Sequence, residues 1–90
     1  MGTALLKIKL MPSSPSVNLE EIKEKAKEIV EENQGRNCRF EEEPIAFGLN
    51  AIMTYFDIDE SNEIEPIEKE FEKIENVASV QVLDMRRAFG

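Results

Sequence analysis

Residues 17–35 read VNLEEIKEKAKEIVEENQG, and they predict a helix whose start and stop are both written into the chain. Asn18 is a favourable N-cap, and Glu21 stands three residues on, as a capping box requires. Val17 and Ile22 occupy the two positions of a hydrophobic staple. Leu19, Ile22, Ala26, Ile29 and Val30 recur at intervals of three and four and make one apolar stripe. Glu20 and Glu21 suit the positive end of the helix dipole, and Gly35 offers a left-handed stop. A helix with a single apolar stripe cannot bury it alone, so the fold depends on what flanks this segment.

On the N-terminal side, Thr3 to Met11 alternates. Ala4, Leu6, Ile8 and Leu10 point to one face, while Leu5, Lys7, Lys9 and Met11 point to the other. This is a half-buried strand with two lysines on its open face, ended by Pro12-Ser-Ser-Pro-Ser16. On the C-terminal side, Arg36 to Glu42 reads as a short strand with Cys38 and Phe40 opposite Arg39 and Glu41, broken by Glu43-Pro44. An apolar stretch follows from Ile45 to Ile58. Ile52, Thr54, Phe56 and Ile58 point inward and Ala51, Met53 and Tyr55 outward, with Gly48 marking a bend or bulge at the entry.

After a polar turn over Asp57 to Glu63, Pro66 takes the first helical position and holds Glu65 outside the α region. Ile67, Phe71 and Ile74 give a short amphipathic helix that Asn76 can close. Val77 to Met85 is a last strand with Val80 and Val82 on one face, and Arg86-Arg87-Ala88-Phe89-Gly90 reads as a tail. The order strand, helix, strand, strand, helix, strand predicts an α+β, ferredoxin-like βαββαβ sandwich. It has a four-stranded antiparallel sheet with two helices on one face, and residues 1–90 form a single domain.

Composition removes several classes of function. A hydrophobic share of 41% is too high for a disordered tail. A formal charge of −8 argues against binding driven by phosphate neutralisation, so no direct nucleic-acid partner is expected. A single cysteine and no histidine leave no disulfide framework, zinc site or histidine-activated nucleophile. No apolar run approaches the ~20 residues of a membrane span, and no signal peptide opens the chain. The expectation is a soluble, cytoplasmic domain without metal or cofactor, a monomer on its own, that is not an enzyme.

Taken singly, the polar motifs have ordinary readings. Glu41-Glu42-Glu43 is a solvated acidic run, and Asp57, Asp59, Glu60 and Glu63 lack the glycine and spacing of a calcium loop. Lys7 and Lys9 are solubilising, and Cys38 is a small core residue. From pattern alone Phe47 reads as core, and Arg86 and Arg87 as a solvated tail that offsets acidity.

The segment Glu41-Glu-Glu-Pro-Ile-Ala-Phe-Gly-Leu49, with Lys7-Ile-Lys-Leu-Met-Pro12 and Asp84-Met-Arg-Arg87, closely resembles the archaeal translation elongation factor 1-beta family over essentially the whole chain. That resemblance implies a nucleotide exchange factor for the GTPase elongation factor 1-alpha. Such a factor engages the GDP-bound and nucleotide-free GTPase and speeds GDP release, so that GTP loads and aminoacyl-tRNA can be taken up again. It implies that Phe47, with Ala46 and Gly48 beside it, packs into the GTPase as a wedge. It also implies that Arg87, with Arg86 beside it, brings a cation toward the magnesium and phosphate site, where the eukaryotic relatives carry a lysine. On this reading, Phe47→Ala causes a large loss of exchange and removal of residues 86–90 a partial to large loss, with stability nearly unchanged in both.

The same topology also hosts RNA-recognition-like and ACT-like small-ligand modules and acylphosphatase-like enzymes. The first strand has no aromatic for base stacking and the later one offers only Tyr55 outward. Pro12-Ser-Ser-Pro15 stands where the ACT-like modules often place a glycine-rich turn and where the enzyme needs an arginine-bearing anion loop.

Overall fold

In the computed structural model, which describes residues 2–88, the chain runs through β1 (Thr3–Pro12), α1 (Leu19–Glu32), β2 (Arg36–Pro44), β3 (Asn50–Asp59), α2 (Glu65–Glu72) and β4 (Val77–Ala88). The strands form one antiparallel sheet in the order β2-β3-β1-β4. The sequence of elements and the sheet order are those of the expected ferredoxin-like sandwich.

Both helices bury their stripes on one side of this sheet. Ala4, Leu6, Ile8 and Leu10 from β1 and Ile52, Phe56 and Ile58 from β3 meet Ile22, Ala26 and Val30 of α1 and Ile67 and Phe71 of α2, with Ile74 just beyond. Val80 and Val82 of β4 and Cys38 and Phe40 of β2 close the margins. The alternation in β1 thus sorts Ala4, Leu6, Ile8 and Leu10 to the helices and Leu5 and both lysines to the uncovered face. Thr54 lies on the helix side, fully buried, with its hydroxyl unpartnered.

Local physics sets the element ends, sometimes against expectation. Asn18 Oδ1 accepts from the Glu20 N–H at 3.0 Å and starts α1. At the other end the left-handed residue is Gln34 (φ 63°), not Gly35. Gln34 N–H donates to Glu31 O at 3.1 Å and Gly35 N–H to Val30 O at 2.7 Å, the paired bonds of a Schellman stop. Gly35 is required for space instead: a Cβ there would lie 2.4 Å from Val30 Cγ1.

Helix α2 opens one residue earlier than Pro66 implies, with Ile64 as cap and Glu65 already helical. It ends at Glu72, and Asn76 (φ 72°) instead turns the chain into β4. Two further boundaries differ. Strand β2 continues through Glu43 to Pro44, which an edge strand tolerates. Strand β4 runs on through Arg86 and Arg87 to Ala88, so these residues are not a free tail. Ala51 and Met53 face away from the helices yet are buried. They lie on the inner strand β3, where Met53 is in register with Lys9 on β1 and Glu41 on β2, both long enough to cover it.

Candidate functional site

The connection between β2 and β3 is a single tight 3-10 turn, Ala46–Gly48. Ile45 N–H donates to Leu49 O at 2.7 Å, closing the neck, and Leu49 N–H donates to Ala46 O at 3.3 Å. Inside the neck Phe47 (φ 61°, ψ 32°) and Gly48 (φ 77°) are both left-handed. The bulge expected at Gly48 is therefore a full reversal, and glycine permits its second half. A left-handed conformation costs an L-residue such as Phe47 on the order of 1 kcal/mol. The outcome is a residue 94% exposed at the extremity of the sheet, so Phe47 is not core. Pro15, from the β1–α1 connection, lies beside Gly48 and forms the neighbouring surface.

Arg86 and Arg87 occupy the other end. Arg87 is in register with Ala4 and Arg86 with Leu5, while the Phe47 turn lies beyond the pairing of Leu10 with Ile52. Six strand steps lead from Ala4 to Leu10, so at ~3.3 Å each about 20 Å or more divides the two groups. The structure does not bring the wedge and the cations together. Being consecutive in a strand, the two arginines point to opposite faces. Arg86 lies on the uncovered face, its Nε donating to Asp84 Oδ2 at 2.8 Å, and Arg87 on the helix side, pairing with Glu60 Oε2 at 2.7 Å. Both guanidiniums remain about three-quarters exposed. Phe89 and Gly90, the rest of the expected tail, lie outside the described residues.

The acidic motifs are distributed, not convergent. Glu42 points to the helix side and accepts from Lys23 Nζ at 2.8 Å, which also donates to Glu20 at 3.0 Å. These bonds, Glu42 first, raise the lysine's pKa above its ordinary value. Asp59 accepts from Ser61 Oγ at 2.7 Å and Ser61 N–H at 2.9 Å, bonds that pull its carboxyl below the usual range. Asp57 accepts from Asn37 at 2.6 Å. Burial pushes the Cys38 thiol up to about 11, which leaves it unreactive at neutral pH.

On the uncovered face, Tyr55 is flanked by the Lys7 ammonium and the Arg39 guanidinium, each 5.7 Å from the ring centre. A hydrogen bond to Glu41 raises its phenol above the ordinary value. Alternation identified Tyr55 and Lys7 as outward-facing, but the approach of Arg39 depends on the β2–β3 register, which periodicity does not carry.

The EF-1 guanine nucleotide exchange domain profile matches residues 5–88. The chain belongs to that family. Elongation factor 1-beta of Methanocaldococcus jannaschii is 43% identical over 89 residues, covering 98% of this chain and 100% of the relative. The protein of the same name from Methanosarcina barkeri is 43% identical over 88 residues (97% and 99% covered), and that from Methanococcus maripaludis 37% over 86 (94% and 97%). In fold, this EF-1 exchange-domain chain superposes on 30S ribosomal protein S6 from Thermotoga maritima with a TM-score of 0.68 at 19% identity, over 96% of this chain and 88% of that one. At that identity the likeness shows the ferredoxin-like architecture alone. Both the Phe47 turn and the two arginines fall inside the matched region, and no helix among the described residues is long and apolar enough to cross a membrane.

Proposed function

We propose that the protein accelerates replacement of GDP by GTP on elongation factor 1-alpha, acting by insertion and without chemistry on the nucleotide. The observation that carries this reading is the Phe47 turn: a 94%-exposed residue held in a left-handed reversal, in a chain of the exchange-domain family. An isolated domain gains nothing from displaying a phenylalanine at the tip of its sheet at a backbone cost. A partner pocket that receives the ring supplies the missing stabilisation.

Exchange needs only that the factor bind the nucleotide-free GTPase better than the nucleotide-bound form, because coupling between sites is reciprocal. An acceleration of ~10⁴-fold corresponds to roughly 5.5 kcal/mol of differential binding. Most of a GTPase's hold on its nucleotide is electrostatic, through magnesium, a lysine and backbone donors to the phosphates. A cation brought near that site from the end of β4, with the ring levering at the far end, opposes that hold. Arg86 stands on the open face and Arg87 on the helix side, and either must first leave a carboxylate, Asp84 or Glu60.

The test is release of labelled GDP from elongation factor 1-alpha with and without the protein. Acceleration that saturates with protein concentration is the expected result, and an unchanged release rate overturns the reading.

A further inference from the structure

The charge of the chain is unevenly spread. Twelve of its nineteen acids and five of its eleven bases fall in residues 19–32 and 63–75, the two helices and their flanks, so −7 of the −8 belongs to the helical layer. The remainder of the molecule is close to neutral. Exposed apolar surface is divided in the opposite sense. Among the described residues, the large exposed hydrophobics are Leu5, Phe47, Leu83 and Met85, all on strands or the tip turn and none on a helix. Met85 is in register with Leu6 and so lies on the helix side, but on the uncovered face low net charge coincides with the exposed Leu5, a combination that suits an interaction surface.

A shallow recess of about 180 Å³ opens on that side, lined by Leu5, Lys7, Arg39, Tyr55, Asp84 and Arg86 among others. Asp57, also in its lining, is held by Asn37, and Asp84 by Arg86, which leaves Lys7 and Arg39 over the Tyr55 ring as cations without a salt-bridge partner among the described residues. We infer that the helix-free face, centred on this recess, is the surface on which the GTPase docks, with an acidic side chain of that partner seated between Lys7 and Arg39. The inference rests on the exchange reading and goes further by choosing a face. A partner that touches both the Phe47 turn and Arg86 has to cross the ground between them, and Arg86 already belongs to the open face. A GTPase presenting nucleotide phosphates is repelled by the acidic helical layer and accepted by the balanced one.

Lysine footprinting tests this on the unmodified protein. Acetylation of each lysine is measured with and without nucleotide-free elongation factor 1-alpha. Shielding of Lys7 and Lys9, with Lys25, Lys69 and Lys73 as reactive as before, is the expected result; shielding of the helical lysines instead overturns the inference. In parallel, the double variant Lys7→Glu with Arg39→Glu, assayed below its own melting temperature so that it is fully folded, should raise the half-saturating concentration in GDP release about tenfold or more, since like charges meeting across an interface are costly. Lys25→Glu with Lys73→Glu should leave it within about threefold. If the wild type accelerates release and the Lys7/Arg39 double variant does so equally, the docking face is wrong and the exchange reading stands. If the wild type accelerates nothing, both fall. Shielding of Lys7 and Lys9 by single-stranded RNA but not by the GTPase also overturns the inference, in favour of a nucleic-acid surface.

Discussion

Replacing Phe47 separates stability from activity in a way no core residue could. With 94% of the residue exposed, the isolated domain gains almost nothing from the ring. An aromatic side chain presents ~150–250 Å² for burial, so at ~25 cal/mol/Å² complete sequestration by a partner is worth at most about 6 kcal/mol. The β-carbon that alanine keeps, and the entropy of fixing the ring, reduce the net loss on Phe47→Ala to roughly 2–3 kcal/mol. At 1.4 kcal/mol per decade, the half-saturating concentration in GDP release should rise about 30- to 150-fold. Stability should move in the other direction, or not at all. Phe47→Gly relieves a left-handed cost on the order of 1 kcal/mol, partly offset by glycine's greater freedom when unfolded. Urea midpoints should therefore rank Phe47→Gly at or above the wild type while both variants lose exchange. The reasoning is refuted if Phe47→Ala exchanges with wild-type half-saturation, or if its loss of activity merely follows a loss of folded protein.

Phe71→Ala, at a fully buried position, should cost about 3–5 kcal/mol in urea unfolding, and a cost below 1 would mean the site collapses around the missing ring. Gly35→Ala should destabilise by about 1–3 kcal/mol through its collision with Val30, whereas Gln34→Gly should stabilise slightly by relieving φ 63°; the same sign for both would contradict the helix stop described above. Deleting residues 86–90 removes the pairings of Arg86 with Leu5 and Arg87 with Ala4, so the tail expectation of unchanged stability gives way to a loss of about 1–3 kcal/mol by thermal melting; Arg87→Ala should cost little. Cys38, raised from an ordinary 9.0 to about 11, contributes stability that is intact below pH 9 and lost as the pH climbs through 11, and Lys23, raised above 10.5, acts in the same direction. The fall in urea midpoint between pH 8 and 11 should accordingly be shallower in Cys38→Ala, and an identical slope would dismiss the cause.

Much of the architecture could be read directly because the relevant signals are local. The period of two in β1 and β3 and the three-and-four spacing in α1 each define a buried face, and four strands with two one-sided helices have few ways to pack. What could not be read depends on register or on backbone geometry. Gly35 is needed for room beside Val30, five residues back along the chain but adjacent in space, and not for the left-handed turn, which falls on Gln34. The continuation of β4 through its arginines depends on Leu5 and Ala4 being available as partners, and nothing in Arg86-Arg87 announces it. Phe47 is the sharpest case. Its apolar character argued for the core, and only the left-handed turn, invisible to periodicity, turns it outward.

Phe47 and the two arginines sit at opposite ends of one antiparallel sheet, in a molecule 42 × 21 × 18 Å across its principal axes. Their spacing is consequently fixed by hydrogen-bonded rungs, and no flexible linker can adjust it. In a pleated sheet it can change, with side chains kept on their proper faces, only in two-residue steps of about 6.6 Å. The β-framework is therefore a caliper of set gauge, and a partner engaged at both jaws must match that gauge or yield to it.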